Sequence, residues 1–200
     1  MFYHPKDGHG LPHDPFKAII SPRPIAWVST RDAQGRDNLA PYSFFNAIAS
    51  DPPQVMFASN GQKPDRDNTK DTVGNARDTG VFCVNIVSHA LRDAMNASAA
   101  NAARETDEFA LANLAKSEAQ GIDCAYVSDA PAVLECRVTQ IIDLIGDTNI
   151  MVMGEVVGVH LADACVVDGA FDVTKYQPLA RMGYMDYTTV RDVFQLQRPK

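Results

Sequence analysis

Two long strand-like segments separated by a short turn constrain the fold of this chain more than any other feature. Residues 132–145 read AVLECRVTQIIDLI and residues 149–162 read NIMVMGEVVGVHLA, and both are rich in β-branched residues. The GDT sequence between them is typical of a tight connection. The two segments therefore predict an antiparallel β-hairpin.

Further strand patterns lie next to one another rather than in regular alternation with helices. They are PIAWVST (24–30), LAPYSFF (39–45), QVMFASN (54–60) and VFCVNIVS (81–88). Helices are predicted over TVGNARDTG (72–80), with Asp71 or Thr72 as N-cap and Gly80 as C-cap, and over residues 89–117, with a loop around 98–106. This arrangement favours a mainly β antiparallel barrel with attached helices over a doubly wound parallel sheet. A nucleotide would not be held in the Rossmann manner, because no GxGxxG or Walker motif is present.

Composition limits the classes of partner and the location. The 200 residues predict a single domain, 1–200, with residues 1–18 as an irregular N-terminal arm. The net charge of -7 argues against nucleic acid, and no apolar run approaches the roughly 18 residues of a membrane span. The first residues do not resemble a signal peptide, so we expect a cytoplasmic protein. The four cysteines form no CxxC pair and are predicted to be buried reduced thiols.

The segment NLAPYSFFNAIASDPP, residues 38–53, has an unusual composition. Three aromatic residues stand among the small polar residues Ser43 and Asn46, with prolines on both sides. One interpretation is a bulged barrel strand with core phenylalanines, because Pro41 cannot donate to a central ladder. The other is a surface for a flat heterocycle, with polar groups at its edge and aromatic rings at its sides.

Three other features carry candidate chemistry, each beside a structural alternative. In NTKDT, residues 68–72, a helix start and Lys70 suit a phosphate, with Lys63 and Arg66 nearby; the alternative is a capped helix beside a solvated loop. His160 ends a strand and Trp27 is the only tryptophan, and either residue has an ordinary packing role as its alternative. The histidines have no metal-ligand spacing, so no metal site is predicted.

Several stretches, in this order, resemble one family. They are residues 9–30 (HGLPHDPFKAIISPRPIAWVST), 38–53, 59–87 (SNGQKPDRDNTKDTVGNARDTGVFCVNIV) and 175–183 (KYQPLARMG). Together they resemble the flavin reductase-like proteins with an FMN-binding split barrel, most closely the flavoredoxin type. The resemblance implies a six-stranded antiparallel split barrel of Greek-key type that works as a homodimer. It also implies FMN bound near the dimer interface.

The resemblance also assigns residues to the flavin site. It implies that the ring is lined by Trp27, Val28, Ser29, Ala40, Pro41, Tyr42, Ser43, Phe44, Phe45 and Asn46. It implies that the ribityl chain and phosphate are held by Ser59, Asn60, Lys70, Asp71 and Thr72. His160, Tyr176 and Arg181 would border the flavin face where a nicotinamide stacks, with His160 and Arg181 as candidate catalytic residues.

The function implied is an oxidoreductase that passes hydride from NADH or NADPH to FMN, which itself carries that chemistry. The reduced flavin would feed a partner monooxygenase or another electron acceptor. Two alternatives stay open: a flavin-dependent oxygenase or oxidase acting on a small organic substrate, and a non-catalytic FMN-binding electron carrier.

Overall fold

The computed structural model of the protein describes residues 1–63 and 69–199. The strands are β1 (Arg23–Pro24), β2 (Ala26–Arg31), β3 (Asp37–Tyr42), β4 (Phe45–Ser50), β5 (Pro53–Asn60), β6 (Val81–Ile86), β7 (Lys116–Glu118), β8 (Ala125–Val127), β9 (Ala132–Asp143), β10 (Asn149–Leu161), β11 (Val166–Val167), β12 (Ala170–Phe171), β13 (Leu179–Arg181) and β14 (Tyr187–Thr189). The α-helices are α1 (Phe16–Ile19), α2 (Asp71–Thr79), α3 (Arg92–Ala97), α4 (Glu108–Leu111) and α5 (Val173–Tyr176). Single 3-10 turns lie at Pro5–Asp7, His89–Leu91 and Asp163–Cys165.

The main sheet is a barrel that closes between β3 and β4. Its strands lie in the order β3-β2-β6-β9-β10-β5-β4, and every pairing is antiparallel. In a flat sheet of this size the outer strands would lie about 29 Å apart. Only Ser43 and Phe44 separate the end of β3 from the start of β4, a link that spans at most about 11 Å. The sheet must therefore curl until its edges meet, and there the Ala58 amide donates to the Phe44 carbonyl at 2.8 Å.

The predicted fold class is confirmed, with a small difference in strand count. The long hairpin forms as predicted from β9 and β10. The main sheet has seven strands rather than six, because the segment 38–53 supplies two strands and not one. Ser43 and Phe44 interrupt the pairing, so β3 joins β2 on one side of the closure and β4 joins β5 on the other.

Alternation along β2 divides the core into two clusters. Ala26 and Val28 point into the barrel, where they pack with Phe57 and Phe82. Trp27 points outward into the second cluster. Successive side chains of a strand face opposite sides, so neighbouring residues of one motif cannot all face the same ligand.

The predicted helices form with shifted boundaries. Helix α2 ends at Gly80, which has the left-handed φ of 75° expected of a C-cap, but its N-cap is Lys70 rather than Asp71 or Thr72. The segment 89–117 is only partly helical, and the loop expected around 98–106 lies between α3 and α4. The middle of the predicted polar loop at 61–71, with Arg66, lies outside the described residues.

All four cysteines are free and buried, as predicted. Over residues 1–63 and 69–199, no helix is long and apolar enough to cross a membrane.

Candidate functional site

The closure of the barrel opens onto a cavity of about 630 Å³. One part of its lining is the end of β3, with Pro41 and Tyr42, together with the β3–β4 link, Ser43 and Phe44. Ala58 and Asn60 of β5 also line the cavity. Other parts of the chain complete it: Pro12, His13, Asp14 and Lys17 of the arm, Arg23, Ile25, Lys70, Met95 and Ala99, and Arg181, Tyr184 and Tyr187 of the tail. The volume lies within the range of about 300–1,000 Å³ that is usual for small-molecule and cofactor sites.

A second cavity of about 410 Å³ adjoins the first on the side of α2. Both cavities are lined by Pro41, Tyr42, Asn60, Lys70 and Ala99. The smaller cavity continues past Asp71 and Thr72 in the first turn of α2 to the turn at 98–102. An elongated ligand with one end at the β3–β4 link and the other at the start of α2 is therefore accommodated.

Lys70 stands where the two cavities meet. It precedes α2 in an extended conformation, and its Nζ lies 5.8 Å from the centre of the Tyr42 ring. Burial lowers the pKa of this amine, and no ion-pair partner of Lys70 is found among the described residues. A half-buried lysine that forms no ion pair with the described residues, next to the positive end of a helix dipole, favours an anionic ligand.

A network of buried polar side chains fixes the floor beneath Lys70. The Asn38 amide donates to the Thr72 hydroxyl at 2.8 Å, and the Asn75 amide donates to Thr30 at 3.1 Å. Burial raises the pKa of Tyr42 to about 12, although hydrogen bonds with Thr72 and Ser59 oppose the shift. Tyr42 therefore remains a neutral phenol, and the network holds the first turn of α2 against β3.

Two arginines line the larger cavity but not the smaller one. Arg23 of β1 and Arg181 of β13 are directly paired in the small sheet. Burial, together with the charge of Arg181, lowers the pKa of Arg23. With Lys17 and Lys70 they form a cationic lining in which Asp14 is the one carboxylate among the described residues. A protein of net charge -7 therefore concentrates positive charge in this cavity.

The structure brings ten of the eighteen predicted site residues to the cavities. These residues are Ala40, Pro41, Tyr42, Ser43, Phe44, Asn60, Lys70, Asp71, Thr72 and Arg181. The remaining eight do not line either cavity: Trp27, Val28, Ser29, Phe45, Asn46, Ser59, Tyr176 and His160.

Three of these eight are enclosed in the core around β2. The side chain of Trp27 is fully buried, and its indole Nε1 donates to Ser98 at 2.8 Å. Val28 faces the barrel interior, and the hydroxyl of Ser29 accepts from Asn85 at 3.1 Å. Their side chains do not reach the cavities, which differs from the lining role that the resemblance implied.

The residues at the closure and on β5 divide between surface and core. Phe45 packs against the barrel-interior cluster, and Ser59 is 3% exposed beneath Tyr42. Asn46 is exposed on β4, where its Oδ1 accepts from the next backbone amide. Because Phe45 and Asn46 lie beyond the closure, they turn away from the cavity that Ser43 and Phe44 line.

His160 and Tyr176 lie apart from the cavity of this chain. The Nε2 of His160 is 2.5 Å from Oε1 of the buried Glu135, and its ring lies 4.7 Å from that of Tyr126. Burial of Glu135 opposes its ionisation, but hydrogen bonds from the Gln120 amide, His160 and the Gly121 amide outweigh burial and lower its pKa. Tyr176 packs against Phe171 at 5.1 Å. Within one chain, both side chains have structural contacts rather than contacts with the cavity.

Sequence reasoning missed the contributions of the arm and tail. His13 contacts the ring of Tyr184 at 5.6 Å, and a Cβ on Gly183 would lie 2.5 Å from Cβ of Ala18. The arm and tail therefore touch over the cavity, and Gly183 is needed for that approach. These contacts join residues more than 160 positions apart, and no local pattern marks them. Arg23 lies in the SPRP stretch, but nothing local to that stretch indicates that it pairs with Arg181.

These features fit FMN, the cofactor that the resemblance implied. Lys70 and the start of α2 offer a place for a phosphate, and the smaller cavity gives room for a polar chain. Ser43 and Phe44 offer polar and aromatic groups for a flat ring. Among the described residues, no group of three or more His, Cys, Asp or Glu side chains has a metal-binding arrangement.

Comparisons with known proteins agree with this geometry. The sequence profile of the flavin reductase like domain matches residues 20–179. A protein of Deinococcus radiodurans is 39% identical over 189 residues, covering 90% of this chain and 82% of that protein.

Two solved structures share the fold over most of the chain. Nitrilotriacetate monooxygenase component B from Bacillus cereus has a TM-score of 0.88 and 29% identity, with 98% of each chain covered. The 2-nitrobenzoate 2-nitroreductase NbaA of Pseudomonas fluorescens has a TM-score of 0.81 and 28% identity, covering 92% of this chain and 88% of that one. The family and these likenesses support a flavin-binding redox function. The chain belongs to the flavin reductase-like family.

Proposed function

We propose that the protein is an FMN-binding reductase that accepts hydride from NADH or NADPH. The observation that carries this proposal is Lys70, a half-buried lysine with no ion-pair partner among the described residues, where the two cavities meet. A cavity for a neutral ligand would not need this charge. A cavity for a flavin mononucleotide needs it at the end away from the ring.

The proposed phosphate site consists of Lys70 and the first turn of α2. Lys70 supplies a full positive charge, and the helix start adds its dipole. Thr72 is already held by a hydrogen bond from Asn38, so the site needs little ordering when a ligand binds. Prior fixing of the site lowers the entropy cost of binding.

The proposed ring site is the β3–β4 link. Ser43 supplies a hydroxyl, and Phe44 and Tyr42 supply apolar surface. The bound FMN supplies the hydride-accepting chemistry, as flavin cofactors do. The chain's own residues therefore need only position the two reactants and keep water out of the cavity.

Assembly as a homodimer is part of the proposal. Val157, Val159 and Leu161 alternate along β10 and are 41–57% exposed, and Ile48 of the edge strand β4 is 42% exposed. An apolar surface of this kind marks an interaction site. We propose that a second copy of the chain covers it, which would bring another protomer close to the closure between β3 and β4.

The reduced flavin is proposed to serve a partner. The likeness to a protein named as component B of a monooxygenase supports delivery of reduced flavin to a separate oxygenase. A second candidate is direct reduction of an organic substrate in the cavity, which the likeness to a nitroreductase supports. The two arginines that line the larger cavity support this candidate, because they offer positive charge to a substrate bound there.

The test is flavin binding followed by turnover. The purified protein should retain FMN more tightly than riboflavin, as followed by quenching of flavin fluorescence. With FMN and air it should consume NADH or NADPH faster than FMN without protein does. Binding without consumption would leave a carrier function, and no preference for FMN over riboflavin would contradict the phosphate site.

A further inference from the structure

Two arginines face each other across the small sheet and line the larger cavity. The register of β1 and β13 places Arg23 directly opposite Arg181. Like charges in directly opposed positions destabilise a strand pair. Burial, and to a smaller extent the charge of Arg181, lower the pKa of the Arg23 guanidinium.

Neither arginine is neutralised within the described residues. Arg23 donates to the carbonyls of Lys17, Ile20 and Met182, and Arg181 donates to the Tyr187 hydroxyl and the Tyr184 carbonyl. All these acceptors are uncharged. No ion pair with a carboxylate is found for either guanidinium in residues 1–63 and 69–199.

Arg23 is also incompletely satisfied. It is 6% exposed, and its Nε is buried without a hydrogen-bond partner among the described residues. A buried cation without a counter-charge is costly, and its persistence in a cavity wall points to a ligand that supplies the missing charge.

We propose that Arg181, backed by Arg23 and Lys17, forms a second oxyanion subsite. It would bind the carboxylate or phosphate of the substrate that exchanges electrons with the flavin. This proposal rests on the proposed function for the identity of that substrate, although the anion site itself does not require a flavin. Arg181 makes the contact, and Arg23 is a positioning residue that ties the arm and tail around it.

The subsite is separate from the proposed phosphate site of FMN. Lys70 lines both cavities, whereas both arginines line only the larger one. One FMN phosphate at Lys70 therefore leaves the arginine pair without an anion.

The surroundings of Arg181 suit a flat anionic ligand. Its guanidinium lies 4.4 Å from the centre of the Tyr187 ring, and Phe44 and Tyr184 line the same cavity. A guanidinium fork matches the two oxygens of a carboxylate or phosphate, and aromatic walls favour a planar ring. An aromatic carboxylate and the phosphate of a pyridine dinucleotide share this chemistry.

The test compares anions with neutral counterparts. Benzoate and benzamide would be titrated into the protein, with and without FMN, by ligand-observed NMR, which needs no flavin signal. NADP⁺ and NAD⁺, which cannot reduce the flavin, would be titrated into FMN-loaded protein and followed by the same ligand-observed NMR. The variants are Arg181→Gln, Arg181→Lys and the control Arg92→Gln, which removes an exposed charge outside both cavities.

The wild type and Arg92→Gln should prefer benzoate over benzamide, or NADP⁺ over NAD⁺, by about tenfold, the value of one charge-assisted contact. Arg181→Gln should bring that preference close to one, and Arg181→Lys should restore part of it. Whichever pair responds identifies the source, an organic carboxylate or the donor's phosphate.

Three results would overturn the subsite. In the first, the wild type binds neither anion more tightly than its counterpart. In the second, folded Arg181→Gln keeps the full preference of the wild type. In the third, Arg181→Gln loses affinity for FMN but not for riboflavin. The last would assign the arginines to the FMN phosphate. If benzoate is preferred but FMN does not bind, the anion site stands and the proposed reductase function fails instead.

Discussion

Replacing Lys70 with methionine should weaken FMN binding and leave riboflavin binding nearly unchanged. The side-chain stem stays in place over Tyr42, while the charge at the junction of the cavities is removed. Riboflavin lacks only the phosphate of FMN. The Lys70→Met variant removes the protein side of the proposed contact, and riboflavin removes the ligand side. The difference between the affinity losses for the two flavins therefore measures the free energy of the contact between Lys70 and the phosphate.

The size of the effect follows from the burial of Lys70. A hydrogen bond to a charged group contributes about 1.5–3 kcal/mol, which corresponds to a loss of roughly ten- to a hundredfold in FMN affinity. The loss for riboflavin should stay below about twofold, because riboflavin has no phosphate for Lys70 to contact.

The ligand-free protein should not lose stability in the Lys70→Met variant. Burial lowers the pKa of Lys70, so the unfolded chain holds this proton more tightly than the folded protein does. The stability of the wild type therefore rises as the pH increases through the folded pKa of this lysine. Removing the amine removes that cost, and the melting temperature at neutral pH should be equal or slightly higher.

The assay is flavin fluorescence quenching with FMN and riboflavin for the wild type, Lys70→Met and Lys6→Met. Lys6 is exposed and lines neither cavity, so its replacement is a matched control for the loss of one positive charge. An equal loss for both flavins in Lys70→Met would refute the phosphate contact, and so would an unchanged FMN affinity.

Three further changes test other parts of the structure. Trp27→Phe removes a buried indole and its bond to Ser98, so it should lower the unfolding free energy by about 1–3 kcal/mol while the spectrum of bound FMN stays the same; an altered spectrum would return Trp27 to the flavin site. Glu135→Gln should lower the unfolding free energy by about 1–3 kcal/mol at pH 7. The difference from the wild type should disappear as the pH falls below 4.5 and through the lowered folded pKa of Glu135, because the wild-type carboxylate is then protonated. A difference in unfolding free energy that does not depend on pH in chemical denaturation would contradict this. Gly183→Val should separate the tail from Ala18 and raise the rate of proteolysis in the arm, and an unchanged cleavage pattern would show that the two do not touch.

The parts of the fold that local sequence determines were predictable. The β9–β10 hairpin has continuous β-branched patterns, and helix α2 has a glycine at its end. Helix-terminus physics makes the start of α2 with Lys70 a candidate anion site beside a capped helix with a solvated loop, and the resemblance assigns it to the phosphate.

The parts that depend on strand direction and distant contacts were not predictable in the same way. Trp27 and Val28 were assigned to one ligand as neighbours in a motif, but alternation along β2 sends them to opposite sides. Arg23 and Arg181 meet only because β1 pairs with β13 across most of the chain length. His160 received a site role from its motif, whereas its contact with Glu135 depends on the register of β9 and β10.

Anaerobic reduction of bound FMN tests the central claim most directly. The protein would be loaded with FMN, desalted, and mixed with NADH or NADPH without oxygen while the blue absorption band of the flavin is followed. The account predicts that the band survives desalting and bleaches rapidly with at least one of the two nucleotides. A band that survives but bleaches with neither would contradict the reductase function, and loss of the flavin without turnover of added FMN would contradict the flavin site as well.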